Sequence, residues 1–285
     1  MPIVTVCLPT YESTPAHLHA ALDSVLAQTF TDWELIIHDD ASHADVQSML
    51  SKYSTDSRIT YYKSPVRLGI GGNWNACARV ARGELISYLF QDDLWHPQYL
   101  QRSVDILNQN ADIGFTAANH SYLMEGHTSA AATGIYDEVT DARSQMKEGR
   151  LSHEEFLQSW IERGLRPNLI GEPSFVTLRH ELLKRVGPFR EDMKQGLDSD
   201  YWVRCLLHSD GFWIAENLGQ FRVHPKAATA RNEESGAGSL DRLRIFRSLS
   251  KALPPGPMKK LTKRVMRREI VGMFKKFVSR RLRLS

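Results

Sequence analysis

Short apolar runs alternate with amphipathic stretches over residues 1–120, which is the pattern of strands and crossover helices in an α/β fold. The apolar runs predict strands over residues 3–8, 34–38, 59–62, 84–90 and 113–118. The stretches between them have apolar residues at helical spacing and predict helices over residues 15–28, 44–53, 72–82 and 97–110. Four such alternations predict a mainly parallel sheet with helices on both faces. In such sheets, ligands bind outside the carboxyl ends of the strands.

The alternating pattern weakens after Ser121. Residues 121–140 are mostly small or polar, which is typical of a variable insertion. Beyond them the sequence predicts helices over 152–163, 180–186 and 199–208, and strands over 174–178, 212–215 and 220–224. The run Pro254-Pro255-Gly256-Pro257 predicts a hinge, so we divide the chain into residues 1–120, 121–253 and 254–285.

The composition narrows the class of protein. The chain has 285 residues, of which 42% are hydrophobic and 24% charged, and these values exclude a disordered or low-complexity protein. Its three cysteines form no Cys-x-x-Cys pair, which predicts reduced thiols, a cytosolic location and no zinc site. Neither a secretion signal nor a window of about 18 apolar residues is present, so the sequence predicts no membrane span.

Positive charge is concentrated at the end of the chain. Residues 258–285 contain 11 Lys or Arg and one acid, Glu269, which leaves a net charge of −7 on the rest of a chain whose total is +3. Apolar and basic residues take opposite faces of a predicted helix here: Met266, Ile270, Met273, Phe274 and Phe277 against Arg264, Arg268 and Lys275. This helix either packs on its own domain or a second subunit, or it lies on an anionic membrane surface. It carries no nucleic-acid-binding motif, so we expect no nucleic acid partner.

Acidic residues follow two of the predicted strands at the point where each strand ends. Asp39 and Asp40 follow one strand, and Asp92 and Asp93 follow another. Helix capping explains either pair alone, with Asp40 or Ser42 capping the helix near residue 44. Two pairs at one edge favour a site for a divalent cation and phosphate groups, since Mg²⁺ or Mn²⁺ takes one or two carboxylates together with phosphate oxygens. The first strand adds four more residues to this edge: Pro9, Thr10, Tyr11 and Glu12.

Two candidates lie further along the chain. Asp198 begins a predicted amphipathic helix, where it is a simple N-cap or, beside a diphosphate, a general base. His224 ends a predicted strand, where it is a structural histidine or a metal ligand.

These segments together resemble the family-2 glycosyltransferases, which are nucleotide-sugar-dependent enzymes with the GT-A fold. The matching segments are residues 4–11, 26–42, Gly69 with Asn75, 81–86, 91–93, 186–189, 198–204 and 221–224. The resemblance covers about residues 3–225 in the order and spacing of the family. Its most specific part is Gln-Thr-Phe-x-Asp-Trp-Glu-Leu followed by Asp-Asp-x-Ser.

The resemblance implies a role for each candidate residue. Asp198 corresponds to the general base of the family. Of Asp92 and Asp93, Asp93 is the better candidate for contacting a metal, Mn²⁺ or Mg²⁺, and His224 corresponds to a residue near that metal. Asp40 corresponds to the carboxylate that binds the nucleotide base. The full predicted nucleotide-sugar site is Pro9, Thr10, Tyr11, Glu12, Asp40, Asn75 and Asp92. Two positions depart from the family: Leu197 replaces a second acid that often precedes the base, and Ala41 replaces a glycine in the Asp-Asp-Gly-Ser turn.

The implied function is metal-dependent, inverting transfer of a sugar from a nucleotide-diphosphate sugar to an acceptor hydroxyl. Residues 1–120 would bind the donor, residues 121–253 would bind the acceptor and carry the base, and residues 254–285 would form a basic helical extension. The expected acceptor is a glycan or glycolipid of bacterial surface polysaccharide assembly, with the enzyme in the cytoplasm or at the inner face of the membrane, as a monomer or homodimer. The alternatives are a catalytically silent relative that binds nucleotide sugars or glycans, and another α/β nucleotide enzyme. A dehydrogenase is disfavoured because Gly69-Ile70-Gly71-Gly72 lacks the dinucleotide-binding spacing.

Overall fold

Alternating strands and helices occupy the first half of the chain, as the hydrophobic pattern predicts. The computed structural model describes residues 1–126, 130–224 and 237–282, the side chains of 130–133 and 276–282 excepted. Its first strands and helices are β1 (Val4–Thr10), α1 (Pro15–Leu26), β2 (Trp33–Asp39), α2 (Val46–Met49), β3 (Ile59–Lys63), α3 (Gly69–Val80) and β4 (Leu85–Tyr88). Strands β1 to β4 pair in parallel, so their carboxyl ends meet at one edge of the sheet.

Longer strands and more helices make up the second half. They are β5 (Leu94–Trp95), α4 (Tyr99–Gln109), β6 (Ile113–Met124), α5 (Ala130–Ser144), β7 (Gly149–Leu151), α6 (Glu155–Glu162), β8 (Val176–Arg179), α7 (His180–Val186), α8 (Leu197–Leu206), β9 (Asp210–Val223), α9 (Ala237–Ala252) and α10 (Pro257–Leu282). Within the described residues the strands form one sheet in the order β3-β2-β1-β4-β8-β6-β9-β5, with β7 on β9. Strand β8 runs antiparallel to β4 and β6.

Helices cover both faces of this sheet, which confirms the predicted α/β architecture. Successive residues of β1 point to opposite faces, so Val6 and Leu8 join one buried cluster and Cys7 joins the other. The first cluster includes Leu22 of α1. The second includes Trp202 of α8 and extends to the C-terminal helices.

The structure departs from the predicted elements in several places, of which β9, α5 and α9 are the largest. The predicted strands 212–215 and 220–224 are parts of the single strand β9. Helices α5 and α9 were not predicted, and α5 turns only a few large residues inward, such as Tyr136 and Val139. Its remaining positions are mostly small or polar, so it has little of the apolar periodicity by which helices are recognised.

The C-terminal helix α10 is not a separate extension over its first half. Leu261 and Val265 are buried in the same cluster as Leu249 and Leu253, across the predicted hinge. Glu269 accepts a hydrogen bond from the Arg166 guanidinium at 2.9 Å. Packing on its own domain, one of the two predicted interpretations, therefore describes α10 up to about residue 269.

Further along α10, apolar side chains face outward. Ile270, Val271 and Phe274 are about half exposed or more. Phe277, which the sequence places on the same face, lies outside the described side chains. In the described part of the chain, no helix is both long and apolar enough to cross a membrane.

Candidate functional site

The end of β1 and the loop after β4 are tied together by one side chain, Gln91. Its amide oxygen accepts hydrogen bonds from the Thr10 hydroxyl at 2.6 Å and from the Tyr11 backbone N–H at 2.8 Å. Its amide nitrogen donates to the Tyr11 carbonyl oxygen at 3.1 Å. Gln91 directly precedes Asp92, so the structure brings Thr10, Tyr11 and the Asp-Asp pair to one place, as the sequence predicts.

Asp40 lies at this edge and caps a different helix from the one predicted. Its carboxylate accepts hydrogen bonds from the backbone N–H groups of Leu68 at 2.5 Å and Gly69 at 3.0 Å, at the start of α3. The helix near residue 44, α2, is instead capped by Asp45. The prediction that Asp40 or Ser42 caps that helix is therefore wrong, because the loop after β2 turns Asp40 toward α3.

An arginine that the sequence did not indicate stands beside Asp40. The guanidinium of Arg67 lies 4.1 Å from the centre of the Tyr11 ring, close enough for a cation–π interaction. Arg67 directly precedes Leu68, which Asp40 binds. A cation stacked on an aromatic ring beside a buried carboxylate forms a wall suited to a planar, polar ring such as a nucleobase.

Three predicted nucleotide-sugar residues have mainly structural contacts. Pro9 lies within β1, paired in register with His38 of β2. The Glu12 carboxylate accepts hydrogen bonds from the backbone N–H and ring of exposed His43. Asn75 is buried in α3, and its amide bonds both the N–H and the carbonyl of Phe189, at 2.8 Å and 2.9 Å. The structure thus places Asn75 as a tie between α3 and the loop after α7.

The two adjacent carboxylates after β4 have different surroundings. Asp93 is fully buried and accepts hydrogen bonds from the Ser174 hydroxyl at 2.5 Å and the Arg222 backbone N–H at 3.0 Å. Burial, together with the charge of Asp92, raises the pKa of Asp93 well above its usual value. The Asp92 side chain is about one-fifth exposed, and its carboxylate lies 3.0 Å from the Nε2 atom of His224. Asp92, with His224 beside it, is therefore the accessible carboxylate of the two.

A small charged cluster adjoins Asp92 and His224. The Arg222 side chain donates to the Asp92 carbonyl oxygen at 2.8 Å and forms an ion pair with Glu125. Glu125 also lies 3.0 Å from the Nε2 atom of His17, whose ring centre is 5.5 Å from that of His224. These contacts fix the end of β9 against the loop after β4, and so place His224 beside Asp92.

Asp198 is half-buried in the first turn of α8, whose N-cap is Gly196 rather than Asp198. Its carboxylate accepts hydrogen bonds from the Ser199 N–H at 2.6 Å and from the Asn168 side-chain amide at 2.8 Å. Burial raises the pKa of Asp198 to about 7, with a smaller contribution from the negative charge of Glu172. A carboxylate with this pKa is about half ionised at pH 7, and its ionised form is basic enough to accept a proton from a hydroxyl.

The surroundings of Asp198 include residues that sequence reasoning missed. Glu172 lies 2.7 Å from the Nε2 atom of His120 and 3.5 Å from the Arg143 guanidinium. Burial alone would raise the pKa of Glu172, but its interactions with His120 and Arg143 lower that pKa to about 2. Neither Asn168 nor Glu172 is part of a recognisable motif, and the helix that carries Arg143 was not predicted. Only the three-dimensional contacts identify this group.

A buried carboxylate from a distant helix fixes the loop before α8. Asp241 of α9 accepts hydrogen bonds from the backbone N–H groups of Lys194 and Gln195, both at 2.9 Å, and of Gly196 at 3.3 Å. The start of the helix that carries Asp198 is therefore held by residues beyond the resemblance, which ends near residue 225.

The donor set at the strand ends fits a hard divalent cation. Asp92 offers an accessible carboxylate and His224 an imidazole, and a cation held by one or two protein ligands completes its coordination with water and phosphate oxygens. In the parts of the chain that the structure describes, no group of three or more His, Cys, Asp or Glu side chains forms a metal site. The fit therefore depends on a diphosphate supplying the remaining ligands.

The fold and the site together define a class of protein. Polar and acidic residues lie at the carboxyl edge of four parallel strands, and the antiparallel strand β8 pairs with β4 in the same sheet. A further carboxylate, that of Asp198, lies in the first turn of α8. This is the arrangement of the nucleotide-sugar-dependent glycosyltransferases with the GT-A fold.

Comparisons with known proteins agree. The family model described as glycosyl transferase family 2 matches residues 5–164. Among solved structures, S. aureus TarS in complex with UDP-GlcNAc superposes with a TM-score of 0.69 at 14% identity, over 94% of this chain and 71% of TarS. The mannosyltransferase PcManGT of Pyrobaculum calidifontis, solved with GDP-Man and Mn²⁺, gives a TM-score of 0.64 at 17% identity, over 92% and 68% of the two chains. These likenesses confirm the predicted GT-A fold.

The chain belongs to glycosyl transferase family 2, and it is a glycosyltransferase of the nucleotide-sugar-dependent kind. An uncharacterized glycosyltransferase of Rickettsia typhi is 27% identical over 93% of this chain and 74% of its own length. A shorter match, over 42% of this chain and 47% of the relative, is 29% identical to Escherichia coli WfgD. That protein is named a UDP-Glc:alpha-D-GlcNAc-diphosphoundecaprenol beta-1,3-glucosyltransferase.

Proposed function

We propose that the enzyme transfers a sugar from a nucleoside-diphosphate sugar to an acceptor hydroxyl with inversion at the anomeric carbon. The observation that carries this proposal is Asp198, a half-buried carboxylate with a pKa of about 7 at the start of α8. One base suffices for a direct displacement, because the acceptor oxygen attacks the anomeric carbon as its proton passes to the Asp198 carboxylate, and the diphosphate leaves from the opposite face. A second displacement would be needed to retain the configuration.

The proposal assigns the metal-facing role to Asp92 and His224 rather than to Asp93. Asp92 is accessible beside His224, whereas both carboxylate oxygens of Asp93 already accept hydrogen bonds in a buried position. Mn²⁺ or Mg²⁺ held there would offset the negative charge that develops on the departing diphosphate. Asp93 would then hold the Asp92 backbone in place, through its bonds to Ser174 and the end of β9.

In this proposal the nucleotide binds beside Tyr11, Arg67 and Asp40, which would form its pocket. Each Asp40 oxygen accepts one backbone N–H and retains a further lone pair for a base N–H group. Thr10 is held through Gln91 next to Asp92, so a ribose and diphosphate would extend from this pocket toward the carboxylates.

The test of the proposed function is a transfer assay in which one nucleoside-diphosphate sugar is paired with a panel of acceptors. EDTA should abolish turnover and added Mn²⁺ or Mg²⁺ should restore it, and the product should have the inverted anomeric configuration. The Asp92→Ala variant should lose about 10²-fold or more in kcat. Asp141→Asn, which changes an exposed aspartate on α5, is the matched control and should behave as the unchanged enzyme. Full activity in EDTA would refute the metal part, and a retained configuration would refute the single-displacement part.

We further propose that the enzyme acts at an anionic membrane surface on a lipid-linked acceptor of surface polysaccharide or glycolipid assembly. Ile270, Val271 and Phe274 are exposed on α10, and residues 270–285 contain five Lys or Arg and no acidic residue. Each basic group near an anionic surface contributes about 1 kcal/mol. The name of the E. coli relative, which specifies a diphosphoundecaprenol-linked acceptor, supports this choice.

Vesicle sedimentation tests the membrane proposal. The enzyme should bind vesicles of anionic phospholipid at low salt and release them as the salt concentration rises. Phe274→Glu should weaken binding, whereas Leu240→Glu, at a similarly exposed apolar position on α9, should leave binding unchanged. Equal effects of the two substitutions, or no binding at low salt, would overturn the proposal.

A further inference from the structure

The side chain of Asn168 makes a hydrogen bond to Asp198 whose direction is fixed by the loop. Its amide oxygen accepts the Gly171 backbone N–H at 3.1 Å. Because a backbone N–H can only donate, the oxygen must face it, and the NH₂ group must then face the other way. That group lies 2.8 Å from an Asp198 carboxylate oxygen and 3.1 Å from the Gly171 carbonyl oxygen. Asn168 is thereby oriented as a donor to Asp198.

Helix α8 contacts this loop at a second point, one turn after Asp198. The Trp202 indole N–H donates to the Gly171 carbonyl oxygen at 2.7 Å, and Trp202 is fully buried. Residues four apart lie on the same face of a helix, so Asp198 and Trp202 meet the same loop together. Two contacts fix both the position of the loop and its rotation relative to α8.

The loop is held from its other side by a buried arginine, Arg143 of α5. Its guanidinium donates to the carbonyl oxygens of Leu169 at 3.3 Å and Asn168 at 3.2 Å, and to the Tyr122 hydroxyl at 3.0 Å. It also lies 3.5 Å from Glu172. A planar fork of donors can hold several oxygens at once in a way that a lysine ammonium cannot.

Gly171 is the point at which the arginine and the loop come closest. Its φ of +103° lies in the region that favours glycine, and a Cβ atom there would lie 2.5 Å from the Arg143 guanidinium. The loop backbone is therefore shaped to pass directly against Arg143. Three residues further on, the Ser174 hydroxyl donates to Asp93 at 2.5 Å. The segment from Asn168 to Ser174 thus spans from the proposed base to the carboxylate pair after β4.

We propose that Asn168 is the positioning residue of the catalytic base, and that Arg143 holds the loop that presents it. This inference rests on the proposed function, in which Asp198 is the base. The Ser199 N–H donates to Oδ1 of Asp198 and Asn168 donates to Oδ2, so Asn168 fixes the rotation of the carboxylate, and its donated hydrogen bond stabilises the ionised form. A donor supplied by a neighbouring loop is needed here because burial in α8 disfavours the charge.

The first experiment compares Asn168→Ala with the unchanged enzyme across pH. The variant should lose about 10- to 100-fold in kcat with unchanged affinity for the nucleoside diphosphate. Because the lost hydrogen bond favoured the ionised base, the acid limb of the kcat/KM profile should move upward, by about 0.5 to 1 pH unit. Three charged or titratable groups lie near Asp198: Glu172, and the two residues paired with Glu172, which are His120 and Arg143. Asn217→Ala, which removes an exposed amide that accepts the Gly219 backbone N–H at 3.4 Å, is the control and should leave kcat and the profile unchanged.

The second experiment uses Arg143→Lys to test whether Arg143 holds the loop that presents Asn168. This substitution keeps the positive charge but loses the planar fork of donors. It should shift the acid limb in the same direction as Asn168→Ala, and the double variant should be little worse than the worse single variant. Asp198→Asn separates the outcomes. If Asp198→Asn is inactive while Asn168→Ala and Arg143→Lys, shown to be folded by circular dichroism, keep the original kcat and acid limb, the positioning role is refuted and the function stands. If Asp198→Asn retains full activity, the proposed function itself has failed.

Discussion

Residues 1–120, the proposed donor-binding half, and residues 121–253, which carry the proposed base, hold their candidate functional residues in different ways. In residues 1–120, the candidate site residues lie at the ends of strands β1, β2 and β4, where parallel pairing brings them to one edge and Gln91 ties β1 to the loop after β4. In the second half, Asp198 depends on Asn168 from a loop and on Asp241 from α9, elements that are distant along the chain. The first arrangement is set by local sequence and sheet register, and the second by buried polar contacts.

This difference explains where the two halves tolerate change. A residue at a strand end is positioned by the backbone ladder, so its neighbours can vary as long as the strand forms. A carboxylate with a raised pKa needs a particular set of donors and buried neighbours, each from a separate segment. We therefore expect substitutions remote from Asp198 to impair catalysis more often than substitutions equally remote from Asp40.

The largest expected effect is that of Asp198→Asn, which keeps the shape of the residue but cannot accept a proton at neutral pH. We expect kcat to fall by about 10² to 10⁴ with little change in donor affinity. A comparable loss of donor affinity would assign Asp198 to donor binding and remove the proposed contrast between the halves. Activity and nucleotide binding measured on the same preparation decide between these outcomes.

The raised pKa of Asp198 also predicts how activity and stability depend on pH. Since burial raises the pKa of Asp198 to about 7, activity of the unchanged enzyme should fall below pH 7, not below pH 4. The folded pKa lies above that of an unfolded aspartate, about 3.9, so the ionised side chain destabilises the fold as pH rises through this window. Asp198→Asn should therefore have a higher Tm than the unchanged enzyme at pH 8, with a difference that shrinks toward pH 4. A difference that is independent of pH would show that Asp198 is ordinarily solvated.

The sequence predicted most of the first half because its strands are short, buried and regularly spaced. It also indicated Tyr11, Asp40, Asp92 and Asp198, which are residues of the proposed site. It could not indicate Arg67, Asn168 or Arg143, since their partners come from tertiary packing and they stand in no recognisable motif. Asn75 belongs to a matching segment, and its amide bonds the Phe189 backbone and the Glu191 carboxylate, so its role in nucleotide-sugar binding stays a prediction.

A smaller effect is expected for Asp40→Ala, at the nucleotide end of the first half. If Asp40 binds the base, affinity for the matching nucleoside diphosphate should fall by about 1.5 to 3 kcal/mol, since a buried charged acceptor is lost. The metal dependence of binding should not change. Loss of the cap on α3 would also lower stability, by about 1 kcal/mol.

Asp45→Ala is the matched control for Asp40, because it removes a helix cap from α2 without touching the proposed pocket. It should lower stability slightly and leave nucleotide affinity unchanged, as titration calorimetry with nucleoside diphosphates would show. Should Asp40→Ala behave as Asp45→Ala does, Asp40 is only a cap, and the base is recognised elsewhere.

The smallest expected effect concerns Ala41, where the turn after β2 departs from the family. Ala41 stands where the family has a glycine, and its φ of +58° lies in the left-handed region that favours glycine. Left-handed backbone costs an alanine roughly 1 to 2 kcal/mol, and a glycine gives back part of this through its greater freedom in the unfolded chain. Ala41→Gly should therefore stabilise the protein by about 0.5 to 1 kcal/mol in urea unfolding. Ala78→Gly, inside α3, should destabilise it by a similar amount. If Ala41→Gly also destabilises the protein, contacts of the Ala41 methyl group offset the strain of its positive φ. The turn after β2 would then depend on packing in the same way as the loop at Asp198.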